Sequence, residues 1–388
     1  GQAGYNPQGN RYSGSYNVMI GVAAGYHSGN DNNTMVGFYA GFYTTGSKNT
    51  FMGMSAGMGG TTSAPFSSGQ YNTAMGYQAL KVFTTGDNNV AIGYQAMLDA
   101  TTGHDTVAIG VGALENYTTG DDNIGIGYSV GSALTEGRYN ILIGSDAGNA
   151  LTDGDHNTMI GINAGATADT STTSAQYNVY IGNSTGRYLD DGVNNVAIGY
   201  EAMKSSGNTQ NAGNNVAIGY QSLLAITDGD NNVAIGSYAG DALTTGGSNV
   251  VIGKAALSTA TTATTVVAIG VGAMESAQAG QAFTGNIAIG FEALKGGGST
   301  TATYTTAIGY DAGKSITTGD SNTVVGSYAG TSITTGGNNV SMGFRAGQYT
   351  TTGGSNIFIG KDTGRNAYKA AKSIGIGLSA LEYIGIGG

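Results

Sequence analysis

The side chains able to do chemistry are few and scattered. Three histidines, His27, His104 and His156, fall in or beside turns. His104 and His156 are 52 residues apart (156 − 104), three turns of the repeat described below, roughly 14 Å and too far to share a metal ion. The neighbouring acids Asp121 and Asp122, like Asp190 and Asp191, have no His or Lys beside them to divide general-acid and general-base work. Gly125-Ile126-Gly127 resembles a fragment of a nucleotide loop, but a phosphate cradle needs a helix to follow, and no helical run does. With no Cys there is no thiolate nucleophile, thiolate metal site or disulfide. Clustered acids of the kind a glycan-cleaving β-helix needs are also missing. The sequence therefore predicts no catalytic residue, no metal, no cofactor and no enzyme. Its best ligand contacts are Phe66 and Phe283, aromatic residues in otherwise polar stretches that can stack on a sugar ring.

What must position such residues is a repeat. Asn-Val-Ala-Ile-Gly recurs at residues 89–93, 195–199, 215–219 and 232–236, and looser copies fill the chain. Their closing glycines run from Gly21 to Gly387, 22 in all, and 13 of the 21 intervals are 17 residues. Apolar residues stand three and one before the glycine, as Val90 and Ile92 do around Ala91, which is the period of a strand. An Ala follows three after it (Ala96, Ala239) and a larger apolar residue seven after it (Phe83, Leu134, Leu243). A Thr-Thr-Gly or Thr-Asp-Gly corner comes next, where glycine is expected to supply a positive φ. No stretch holds the ten or more residues at helical spacing that a helix needs.

Short strands and corners in each 17 residues predict an all-β, parallel β-solenoid (a β-roll) of about 22 coils. It is read as one continuous domain over residues 1–388, with rungs ~4.8 Å apart and an interior of Val, Ile, Ala and Leu. Corner insertions lengthen it near residues 58–70, 168–176, 205–213, 275–285 and 296–303. Such edges are where solenoids place binding surfaces.

Asn holds the position four before the closing glycine in 17 of the 22 copies. Asn89, Asn123, Asn140, Asn157, Asn178, Asn195, Asn215, Asn232 and Asn249 are expected to stack as a structural ladder, amide on amide, at an inward corner. Six before the glycine, Asp87, His104, Asp121, Arg138 and Asp155 follow one another, an alternation that relieves like-charge repulsion between stacked rungs.

Composition narrows the partners. The 388 residues include 70 Gly and only 10% charged residues, with a net charge of −10 and 14 Lys and Arg. That leaves no basic patch for nucleic acid. No apolar run of membrane-spanning length occurs, so no membrane insertion is expected of this segment, and no charged-then-apolar leader stands at Gly1. The aromatic residues right after the glycine (Tyr77, Tyr94, Tyr200, Tyr220, Phe291, Tyr310) can pack between chains. A parallel homotrimer is the expected assembly, with a monomeric rod whose Tyr residues line the outside as the alternative. Neither terminus reads as a polar cap, so either flanking parts have been removed or chains are expected to join end to end into a filament.

Residues 88–96 (Asn-Asn-Val-Ala-Ile-Gly-Tyr-Gln-Ala) and 194–202 (Asn-Asn-Val-Ala-Ile-Gly-Tyr-Glu-Ala) resemble two related groups. One is the β-roll head repeat of trimeric autotransporter adhesins, and the other is the repeat of phage tail-fibre proteins. The resemblance covers nearly the whole chain. It implies a trimeric, extracellular, cell-surface or virion-borne fibre that attaches to a host surface or glycan receptor. The alternative is an ice-binding β-solenoid, suggested by the Thr-Thr pairs.

Overall fold

The computed structural model describes residues 14–28, 30–60, 66–166, 175–189, 192–205, 211–277, 284–296 and 301–384. The chain divides into two compact units, residues 1–194 and 195–388. Each is a parallel β-solenoid. Among the described residues the first carries ten strands, β1 (Val18–Ile20) to β10 (Val179–Ile181), and the second eleven, β11 (Val196–Ile198) to β21 (Ile374–Ile376). All are three residues long. The twenty-second sequence copy, closing at Gly387, lies outside the described residues.

Within each unit successive strands pair in parallel and in register. β5 (Val90–Ile92) meets β6 (Val107–Ile109) as Val90↔Val107, Ala91↔Ala108 and Ile92↔Ile109. In the second unit Val216, Ala217 and Ile218 face Val233, Ala234 and Ile235. Like sits on like at the outer strand positions because the repeat length equals one circuit, while the middle position varies in size from rung to rung, as in Ala108↔Gly125 and Gly125↔Leu142.

The orientation of the strands differs from the sequence expectation. Ala91 is the buried residue, while Val90 and Ile92 are only partly covered. The same holds for Ala234 between Val233 and Ile235. Side chains alternate across a strand whichever face is inside, and the interior is too narrow for two large side chains per strand. The core is therefore built from the middle strand residue, the Ala three after the glycine, and the residues four and seven after it. In one rung these are Ala91, Ala96, Met97 and Ala100, all buried.

Volume is traded within each rung. Where the middle residue is large, the position six residues on is glycine, as in Phe51/Gly57, Leu142/Gly148, Met159/Gly165 and Phe358/Gly364. A Cβ on Gly57 would come within 2.5 Å of the Phe51 ring, and one on Gly148 within 3.0 Å of Leu142. Where the middle residue is Ala, the volume comes from Leu or Met at that position, as in Ala91/Met97, Ala108/Leu114 and Ala217/Leu223, or from the residue three further on where the position is again glycine, as with Leu243 after Ala234/Gly240 and Ile316 after Ala307/Gly313. Leu114 takes a left-handed φ of 49° to do so, a strain of about 1–2 kcal/mol offset by filling the core.

Glycine serves two different purposes. The closing glycine has a φ that only glycine adopts readily, +140° at Gly93, so there the backbone itself demands it. The glycine of the Thr-Thr-Gly corner does not have a positive φ, contrary to the sequence expectation. Gly86 and Gly103 are required for another reason: a Cβ on either would run into a backbone carbonyl oxygen one rung on.

Asparagine closes the remaining corner. Every ladder residue from Asn33 to Asn356 is buried. The Nδ2 group of Asn89 donates to the carbonyl of Gly103 at 2.8 Å, and its Oδ1 accepts the backbone N–H of Thr106 at 3.1 Å. Both partners belong to the next rung. The side chain thus acts as an extra peptide group, carrying the hydrogen-bond ladder round a bend that the backbone alone cannot bridge. Asn215, Asn232 and Asn249 repeat the pattern, each with its backbone N–H on the preceding Oδ1 at 2.8–3.2 Å. Amide-to-amide bonds are added in several rungs, for example Asn157 Nδ2 to Asn140 Oδ1 at 3.1 Å and Asn178 Nδ2 to Asn157 Oδ1 at 3.2 Å. Asn140 donates likewise to Asn123 at 3.0 Å, and Asn195 donates to the carbonyl of Ala212 at 2.8 Å. Thr106 substitutes for Asn by accepting Asn123 N–H on its hydroxyl, braced by the buried Tyr117 hydroxyl at 3.0 Å. Burial pushes the Tyr117 hydroxyl pKa up to about 12.

Candidate functional site

The burial of the small middle residue turns the larger strand residues outward. In each unit they form two adjacent columns of Val, Ile, Met and Thr without a single charged residue. Ile126 is 36% exposed, Ile235 37% and Met52 42%. A parallel sheet normally has both faces covered. Monomeric proteins rarely leave so continuous an apolar surface open. Sequence reasoning missed this face because it placed Val90 and Ile92 inside.

Beside it runs the aromatic column after the closing glycine. Tyr77 and Tyr94 stack at 5.3 Å, Tyr200 and Tyr220 at 5.4 Å, and Phe291 and Tyr310 at 5.1 Å, with planes within 12° of parallel. A second column stands one residue before the Asn ladder, where Tyr139, His156 and Tyr177 form a continuous stack at 4.8 and 5.0 Å. One-rung spacing brings rings close to contact distance, and opposed faces then shed water together.

Phe66 is not isolated. It packs against His27 at 4.4 Å and lies over Tyr43 at 5.9 Å, while His27 stacks on Tyr43 at 5.4 Å and Tyr26 on Phe42 at 5.0 Å. These half-buried rings make an aromatic platform across neighbouring rungs, and burial lowers the His27 pKa below its ordinary value. Phe283 lies outside the described residues, as does part of each of the five corner insertions.

The column six before the glycine has a structural task. Gln70 N–H donates to Asp87 Oδ1 at 2.6 Å, Asp87 N–H to His104 Nδ1 at 3.0 Å, and His104 N–H to Asp121 Oδ1 at 2.9 Å. Asp87, His104, Asp121 and Asp155 each supply a side-chain acceptor to the rung before, whereas Arg138, which has none, only donates its own backbone N–H to Asp155 Oδ1 at 2.7 Å.

One polar network was not singled out from the sequence. In the second unit Lys295 bridges Glu275 and Glu292, each at 2.8 Å, and Lys314 pairs with Glu292 and, at 3.2 Å, with Asp311. Lys204 pairs with Glu201 at 2.6 Å. These contacts raise the pKa of Lys295 and lower those of Glu201 and Glu292. The signal is a Glu two after the closing glycine and a Lys three further on, as in Glu201/Lys204 and Glu292/Lys295. Among the described residues no group of three or more His, Asp and Glu is placed to hold a metal ion. Among them, too, no helix is long and apolar enough to cross a membrane.

Fold and surface together define a parallel β-solenoid repeat protein with a predominant 17-residue turn, an asparagine-laddered corner and an apolar outer strand face. No protein-family model matches the chain, and no curated protein matches it.

Proposed function

We propose that this chain is a non-enzymatic structural fibre of the extracellular space, a phage tail fibre or a prokaryotic surface filament, that attaches to surfaces or glycans. Its working form is a parallel homotrimer. The observation that carries this reading is the uncharged Val/Ile strand face in both units. Three copies packed with these faces inward would give the sheet the second covered side that parallel sheets normally have. The resemblance of residues 88–96 and 194–202 to trimeric adhesin heads and tail-fibre repeats points the same way. The aromatic platform around Phe66 is the leading glycan contact of the fibre, because ring faces pack on the C–H faces of sugars.

The ice-binding alternative has less to stand on. The inner Thr hydroxyls are turned to the protein: Thr84 donates to the carbonyl of Thr101, Thr101 to that of Thr118, and Thr118 to that of Thr135, each at 3.0 Å. In the exposed column Thr85, Thr102 and Thr119 are followed by Glu136 and Asp153, which break the row.

Sedimentation equilibrium and electron microscopy test the proposal. A particle of three chain masses, seen as thin rods or filaments, is the expected result. A monomer at micromolar concentration, or compact globular particles, would sink it.

A further inference from the structure

Phe291 is the terminal ring of an aromatic stack. One face lies on Tyr310, 5.1 Å away and 11° from parallel. In the other direction the column continues with Val271 and Lys254, so no ring covers the opposite face. That face borders a groove of about 240 Å³, with Val271 beside it and Lys254, Glu275, Glu292 and Lys295 around it. The groove exists because two successive rungs carry small residues, Ala255 and Gly272, where the flanking rungs carry Tyr238 and Glu292. A Cβ on Gly272 would already stand 3.2 Å from Glu275 Oε2.

The charges are not equivalent. Lys295 is held between Glu275 and Glu292, whereas Lys254 is exposed and makes no ion pair among the described residues. The groove thus offers one available cation, one open aromatic face with an apolar neighbour, and carboxylate oxygens that accept hydrogen bonds. Its volume lies below the roughly 300–1,000 Å³ typical of sites for drug-sized ligands, which limits it to a single small ring. None of the Val or Ile residues of the strand face lines it.

We infer that this groove binds a hexuronic acid. The sugar carboxylate pairs with Lys254, the C–H face of the ring packs on Phe291 and Val271, and ring hydroxyls donate to Glu275 and Glu292. A flat aromatic acid would satisfy Lys254 and Phe291 but bring no hydroxyl to add to the lysine pairs of Glu275 and Glu292. This inference rests on the reading of the chain as an attachment fibre, and it names the glycan class.

The test is titration of the full chain with sodium glucuronate, glucose and benzoate, followed by saturation-transfer NMR and calorimetry. Glucuronate should bind in the low-millimolar range, at least 5-fold tighter than glucose or benzoate by the ion-pair and hydroxyl contacts they lack. Lys254→Gln should bring glucuronate down to the level of glucose, and Phe291→Ala should weaken both sugars 10-fold or more. Both side chains are exposed, and unchanged circular dichroism would establish that the variants remain folded. Equal affinity for glucose and glucuronate, tighter binding of benzoate, no binding of glucuronate, or indifference to both substitutions would each overturn the assignment. A monosaccharide titration does not depend on assembly, so its failure is distinguishable from failure of the trimer.

Discussion

Asn356 sits directly above Asn339 and shares one oxygen with it twice. The backbone N–H and the Nδ2 group of Asn356 both donate to Asn339 Oδ1 at 3.0 Å, while Nδ2 also reaches the carbonyl of Ala370 at 2.6 Å. Each ladder position is therefore a junction of three rungs.

Removing such a junction should be costly. Asn232→Ala takes away the acceptor of Asn249 N–H and the donor to Gly246 carbonyl, both buried. A loss of about 2–4 kcal/mol in chemical unfolding is expected, from one buried donor and one acceptor left unpaired. Asn232→Thr should cost less than half as much, since Thr106 and Thr305 already serve at this position. Equal losses for Ala and Thr would contradict the hydrogen-bond account.

The volume trade predicts a compensated pair. Phe358→Ala alone should cost about 3–5 kcal/mol through its cavity, and Gly364→Leu alone should fail because of the ring beside it. The double variant recreates the Ala/Leu arrangement of Ala108 and Leu114 and should recover more than half of the summed loss. A double-mutant cycle read by thermal melting measures the coupling, and simple additivity would refute it.

Asp241 should make stability depend on pH. Burial pushes its carboxyl from 3.8 up to about 6, against the smaller pull of its own and Ala242 backbone N–H groups. A carboxyl raised on folding holds its proton more tightly in the native state, so its contribution is favourable below about 3.8. That contribution is lost progressively as pH rises to about 6. Asp241→Asn should remove this slope and stabilise the protein at pH 7 by about 1–2 kcal/mol, allowing for partial solvent screening. An unchanged pH profile would show that Asp241 is solvated in the folded chain.

The outward strand face should tolerate charge in the rung but not in the assembly. Ile218→Arg with Ile235→Arg places two cations on a half-exposed surface. The circular dichroism spectrum should be retained while the sedimenting mass falls to that of one chain. Retention of the wild-type mass would remove this face from the interface.

The solenoid, its register and its ladder are legible in the sequence because Asn89, Val90, Ile92 and Gly93 recur at constant spacing. The direction of the strand is not, since Val-Ala-Ile alternates identically with either face inside, and size alone points Val90 and Ile92 inward. The signal for it lies six residues further on: the large middle residues Phe51, Leu142 and Phe358 are each followed by a glycine there, while Ala91 and Ala108 are followed by Met97 and Leu114, a trade of volume that an inward middle residue explains. The groove beside Phe291 is illegible for a different reason. It is defined by what two rungs lack, at Ala255 and Gly272, and by Lys254 standing outside the Lys–Glu pattern of its neighbours.

Within each unit, strands touch only the strands of the rungs immediately before and after them. Each unit is thus assembled from interchangeable courses, like brickwork. Gaining or losing seventeen residues in frame rejoins identical surfaces, so a gene can change the size of its product by copy number alone. Such duplication shifts the rungs around Phe291 along the unit while leaving the strand pairing of every other rung as it is.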